Sequence, residues 1–201
     1  MSFKLVFIDD SFNGGTSYPF VRAIGKKIPE AELFVFTDPE QGLNFILDNL
    51  DSQLIAFIDC DFSGYGNNKG IVLLKEIRKT TSLLYIVMMS AYNLRQLEGL
   101  DIAAMINEDF IWFYDKNNGS VDDACSLIQH IAQYWSSRFD CVLERWLVRH
   151  PEDKAKVVYS RNRKAYSWEQ LLKEVRLQTE VGKDFARIMN QYCISKFKLD
   201  Q

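Results

Sequence analysis

The sequence predicts an α/β fold: a five-stranded parallel sheet, doubly wound by helices, with a long last helix and a small α+β extension. Two observations carry this. Five short runs, Leu5–Ile8, Leu33–Phe36, Leu54–Ile58, Leu84–Met88 and Phe110–Tyr114, are apolar on successive residues, as strands are when helices cover both faces of their sheet. Between them lie amphipathic stretches, and strand–helix alternation is the pattern of βαβ units.

The first strand runs directly into Asp9 and Asp10, and Asn13-Gly14-Gly15 then delay the first helix, placed at about Tyr18 to Lys27. Further helices are expected over Pro39 to Leu50, Lys69 to Lys79 and Asn93 to Asn107. The last, from about Val121 toward His150, opens on Ser120-Val121-Asp122-Asp123, which has capping-box form. It carries Ala124, Leu127, Ile128, Ile131, Trp135, Phe139, Val142 and Trp146 at helical spacing. That stripe is longer than one small sheet needs, so its far end, with Trp146 and Leu147, is expected to pack on the C-terminal segment or on another copy of the chain.

After His150-Pro151-Glu152-Asp153 the pattern changes. Lys156-Val157-Val158-Tyr159 and Ala165-Tyr166 flank a polar turn and predict a hairpin. Ser167-Trp168-Glu169-Gln170 is a second capping box, opening a helix through Leu171, Leu172, Val175 and Leu177; Thr179 caps a final helix with Val181, Phe185, Ile188, Met189 and Tyr192. The division is placed at 1–138 and 139–201. No low-complexity linker separates the two parts, so the tail is expected to dock on, or continue from, the first domain.

Composition agrees with a packed protein. Of 201 residues, 47% are apolar and 25% charged, which excludes disordered, collagenous and disulfide-scaffold classes. Residues 1–140 carry 11 Lys and Arg against 19 Asp and Glu, a balance of −8, whereas residues 141–201 carry 13 against 8, or +5. The two parts are therefore expected to do different jobs. The N-terminal run reaches Asp9 and Asp10 before attaining the length of a signal peptide's apolar region, and no uncharged apolar run approaches ~18 residues. The four cysteines form no CxxC pair, and the two histidines have no ligand at metal-binding spacing. A cytoplasmic protein with reduced thiols, no membrane association and no structural zinc is expected.

In an open parallel sheet, ligands sit at the carboxyl ends of the strands. Asp9 and Asp10 follow the first run, Asp59 and Asp61 the third, Ser90 the fourth and Lys116 the fifth. Carboxylates, a hydroxyl and an ammonium thus converge on one edge. Mg²⁺ takes oxygen ligands of this type, often one or two carboxylates with waters and a phosphate. A carboxylate beside the metal can attack phosphorus while the ammonium and hydroxyl neutralise the oxygens of the transferred group.

These residues resemble the receiver domain of two-component response regulators, a family with the flavodoxin-like, CheY-like fold. Phe7-Ile8-Asp9-Asp10-Ser11 is similar to its acidic pair, and Phe57-Ile58-Asp59-Cys60-Asp61-Phe62-Ser63-Gly64 to its phospho-acceptor segment, with the helix from Gly70 to Arg78 following. Met88-Met89-Ser90-Ala91 matches the Ser/Thr switch position and Tyr114-Asp115-Lys116 the active-site lysine. The resemblance covers about residues 3–138. It implies that Asp59 accepts a phosphoryl group from a histidine kinase or phosphotransfer protein. It further implies that Asp9, Asp10, Asp59 and the backbone carbonyl of Asp61 bind Mg²⁺, that Lys116 pairs with the phosphate and that Ser90 swings toward it. Phe113 stands where the family places its rotameric aromatic. The implied chemistry is that of a phospho-acceptor rather than a turnover enzyme, and the C-terminal extension would relay its state to an output partner or a dimer mate.

Three departures accompany the resemblance. Asn117 stands where the family has a proline in a cis bond, Tyr65-Gly66-Asn67-Asn68-Lys69 lengthens the loop after Asp59, and Asn13-Gly14-Gly15 follows the acidic pair. None removes a chemical group, so a competent site is expected, although a pseudo-receiver that never takes phosphate is the alternative the missing proline keeps open. Asp59-Cys60-Asp61-Phe62-Ser63 also looks like the nucleophile motif of haloacid-dehalogenase-like phosphatases, but that family places its acidic pair after the lysine. The basic turn Arg161-Asn162-Arg163-Lys164, with Tyr159, Tyr166 and Trp168, has the residue types that touch nucleic-acid phosphates. Its surplus is small and no helix-turn-helix spacing accompanies it. A solvated hairpin tip, or a patch meeting the acidic first domain, is expected instead. Cys60 reads as an apolar filler and His130 and His150 as ordinary helix residues.

Overall fold

A computed structural model describes residues 3–65, 69–91, 109–135 and 137–197. The chain divides into two compact units, Met1–Ala132 and Gln133–Gln201.

In the first unit, β1 (Phe3–Ile8), β2 (Ala31–Phe36), β3 (Leu54–Asp59), β4 (Tyr85–Ser90) and β5 (Ile111–Asp115) form one parallel sheet in the order β2-β1-β3-β4-β5. The three central strands are the most apolar runs: Leu5 to Ile8, Ile55 to Ile58 and Ile86 to Met89 are fully buried. Each large aliphatic side chain so placed contributes ~1.5–3 kcal/mol. The edge strands β2 and β5 are mostly half-buried although their sequences read alike.

Helices α1 (Pro19–Lys27), α2 (Pro39–Asp48), α3 (Lys69–Thr80) and α4 (Val121–Tyr134) cover the sheet. Lys27 pairs with Asp122 at 2.6 Å, which sets α1 beside α4, while α2 packs beside α3. A short 3-10 turn, Gly15–Ser17, precedes α1, in keeping with the delay that Gly14 and Gly15 impose. The expected cap of α4 is reciprocal: Asp123 Oδ2 accepts from the Ser120 amide and hydroxyl, and Ser120 Oγ accepts from the Asp123 amide. The helix expected over Asn93–Asn107 and the loop residues 66–68 lie outside the described residues.

The single long helix from Val121 toward His150 is corrected to two. The Ser137 amide and hydroxyl both donate to the Tyr134 carbonyl, closing α4, and Arg138 takes an extended backbone (φ −71°, ψ 132°) from which α5 (Phe139–Arg149) starts. Ser137 favours this because its hydroxyl competes with backbone amides for the helix's own carbonyls.

In the second unit, α5 is followed by a 3-10 turn at Pro151–Asp153, the hairpin β6 (Val157–Arg161) and β7 (Lys164–Ser167), α6 (Trp168–Arg176) and α7 (Glu180–Phe197). Asn162 and Arg163 both have positive φ (51° and 64°), as a two-residue type I′ turn requires. The Ser167–Gln170 capping box is present in full, and Thr179 Oγ1 accepts from the Gly182 amide at the start of α7. Gly182 is needed there, since a Cβ would stand 2.1 Å from the Glu174 carbonyl of α6. The core joins Tyr166, Leu171, Val175 and Phe185, with Phe139, Tyr159 and Trp168 around them. Trp146 lies 5.5 Å from Trp168 and stacks on His150, which ends α5, while Leu147 is buried.

Candidate functional site

In this strand order the chain reverses its direction of winding between β1 and β3, and ligands of open α/β sheets bind outside the carboxyl ends of the strands at such a point. Ile8 and Ile58 are register partners, so Asp9, one residue past β1, comes beside Asp59, the last residue of β3. Carboxylate oxygens of Asp9, Asp10 and Asp59 all lie within 4.8 Å of one another. Asp9 is fully buried, Asp59 nearly so, and Asp10 half-buried.

The ammonium of Lys116, just past β5, reaches across the strand ends. It donates to Asp9 Oδ2 at 2.8 Å and to Asp59 Oδ2 at 2.9 Å. Burial works to lower the Lys116 pKa, but its bonds to the two carboxylates outweigh that and raise it. One ammonium does not balance three carboxylates. Burial, reinforced by Asp9, pushes the Asp59 carboxyl up to about 6 against the pull of Lys116.

Other groups hold these side chains in place. Asp9 Oδ1 accepts from the Ser11 amide at 2.9 Å and hydroxyl at 2.5 Å, and Asp10 Oδ2 from the Ser63 amide at 2.7 Å. Phe12, buried and stacked on Tyr18 at 4.4 Å, stands 6.0 Å from the Lys116 ammonium. Gly70 lets the first turn of α3 meet the backbone of Asp59 and Cys60: its amide donates to the Cys60 carbonyl, and a Cβ there would fall 1.9 Å from the Asp59 carbonyl oxygen. Spacing alone does not single out Ser63 or Phe12, because their contacts depend on how the loops fold back; Ser11, directly after the acidic pair, is the one local signal.

The structure thus brings together Asp9, Asp10, Asp59 and Lys116. Ser90 ends β4, fully buried, and its carbonyl accepts from the Lys116 amide at 2.8 Å. Phe113 is half-buried on β5 with Met88 as its register partner. Asp61 stands half-buried two residues past Asp59. Burial pushes the Cys60 thiol up to about 12, so it is no ready nucleophile. The described peptide bonds are trans, including the one at Asn117. All four cysteines are free, and no described helix is long and apolar enough to cross a membrane.

Sheet order and flanking helices together are those of the receiver-domain, CheY-like fold. Solved structures agree. The signal receiver domain of a protein described as a Luxo repressor, from Vibrio parahaemolyticus, is similar at a TM-score of 0.50 and 14% identity over 73% of this chain and 98% of that one. The N-terminal domain of an uncharacterized Wolinella succinogenes protein gives 0.51 and 16% over 66% and 96%. No family model matches the sequence, and a search of curated proteins finds no match.

Proposed function

We propose that this chain is a response-regulator-like signalling protein in which Asp59 accepts a phosphoryl group from a histidine kinase or phosphotransfer protein. The observation that carries the reading is the Lys116 ammonium bridging Asp9 and Asp59 at the strand ends, beside a third carboxylate. An Asp59 carboxylate oxygen attacks phosphorus, a P–O bond forms, the bond from phosphorus to the donor nitrogen breaks, and its electron pair leaves with the imidazole. Lys116 holds one Asp59 oxygen in place and stays beside the new acyl phosphate as its counter-charge.

The donor set is all oxygen and carries surplus negative charge, which fits Mg²⁺. Asp9, Asp10 and Asp59 would hold it, with the carbonyl of Asp61 added by the resemblance to the receiver family. When bound, Mg²⁺ supplies the positive charge that Lys116 alone does not. The chemistry ends with gain and slow loss of the phosphoryl group. The second unit relays the state to an output partner or dimer mate.

The test is incubation with Mg²⁺ and acetyl phosphate, read by intact mass and size-exclusion elution for wild type and Asp59→Asn. One phosphoryl group on wild type and none on the variant is expected. An unmodified wild type would leave an interaction module instead, and many-turnover phosphate release would make the protein a phosphatase.

A further inference from the structure

We propose that Asn117 is a clasp that holds the exit of β4 in its resting position and so sets how readily Ser90 turns to the site. The inference rests on Asp59 being the phosphoryl acceptor. It starts from the turn that leaves β5. Asp115 Oδ1 accepts from the amides of Asn117 at 2.8 Å and Asn118 at 3.1 Å, and its Oδ2 accepts from Asn118 Nδ2 at 2.8 Å. The Gly119 amide closes the turn on the Asp115 carbonyl at 2.8 Å. An aspartate binding the amides that follow it fixes the backbone there, and with it the direction of the Asn117 side chain.

That side chain donates from Nδ2 to the carbonyl of Ala91, the residue after Ser90. One position earlier, the Lys116 amide donates to the Ser90 carbonyl at 2.8 Å. Two consecutive bonds therefore tie β4 to β5 just beyond their last register pair, Ser90 and Asp115. Ser90 is fully buried at the end of β4, where the Met89 carbonyl accepts from the Cys60 amide at 2.8 Å and sets the serine beside Cys60. Leaving Cys60 for a phosphoryl oxygen on Asp59 draws the Ser90–Ala91 backbone with it, and the Asn117 bond resists that displacement. A proline at this position could make no such bond, so the clasp belongs to the asparagine.

A contact made in only one of two states shifts their balance by its net worth, about three- to tenfold for a hydrogen bond. Asn117→Ala, and Asn117→Asp, which keeps the shape but lacks the donor, should therefore bind beryllofluoride with Mg²⁺ about three- to tenfold more tightly than wild type. The same variants should speed hydrogen exchange at the Lys116 amide in the free protein. Unchanged or weaker beryllofluoride binding, in variants that fold, overturns the clasp while leaving the acceptor role of Asp59 intact. A wild type with no Asp59-dependent response to beryllofluoride overturns the acceptor role instead; the clasp then stands or falls on the Lys116 amide, whose unchanged exchange in both variants would refute it.

Discussion

Asp59 in the first unit and Asp140 in the second are both buried, and burial is the largest influence on each, yet their acidities move in opposite directions. Asp59 is pushed up to about 6. Asp140 is held below the usual carboxylate range, because Arg138 at 2.8 Å and Arg176 at 3.2 Å overcome the burial. Arg176 also makes a forked pair with Glu144, at 3.1 and 2.9 Å. Two carboxylates thus meet two guanidinium groups in the second unit, where three meet one ammonium in the first. A matched cluster is structural cement between α5 and α6; an unmatched one leaves surplus negative charge at the strand ends.

The largest effect is expected where matching is broken. Arg176→Ala leaves Asp140 buried without its inter-helix partner and should destabilise the second unit by about 3–5 kcal/mol, read by hydrogen exchange resolved to residues 139–197. An effect confined to residues 3–132 would contradict this division of roles.

The opposite sign is expected at the site. A folded-state pKa raised above the ordinary value of 3.8 means that charged Asp59 costs stability, fully above pH 6 and not at all below about pH 4. Asp59→Asn in metal-free buffer should therefore stabilise the first unit by on the order of 2 kcal/mol at pH 7.5, fading as pH falls from 6 to 4. Asp140 contributes stability that is lost only at more acid pH, below its ordinary titration range.

Much of this was legible in the sequence, and the limits are physical. Strand runs and the carboxylates that follow them depend on local pattern, so β1, β3 and the Asp9/Asp59 pairing could be read directly. The reciprocal caps at Ser120 and Ser167 are likewise local. That β2 and β5 are half-exposed depends on strand order, which Leu33–Phe36 does not encode alone. The break after Tyr134 was hidden because Trp135 and Phe139 keep the helical spacing across it. Asp140 and Arg176 lie far apart in sequence, and neither carries a local mark of the other.

Mg²⁺ sharpens the contrast at a smaller scale. At tenfold its dissociation constant it should stabilise the first unit by ~1.4 kcal/mol, measured as a rise in melting temperature that Asp59→Asn reduces, and leave exchange in the second unit unchanged. Smallest is Glu144→Gln. Glu144 is about one-quarter exposed, and Arg176 keeps Asp140, so a loss of only about 1 kcal/mol in chemical denaturation is expected.

The most direct test of this charge contrast is a carboxyl-carbon NMR titration of Asp59 and Asp140 in one sample, with and without Mg²⁺. Asp59 should titrate at about 6 and shift to lower pH when Mg²⁺ is added, with Asp140 below the ordinary range in both conditions. An Asp59 that titrates like an exposed carboxylate and ignores Mg²⁺ would contradict the account.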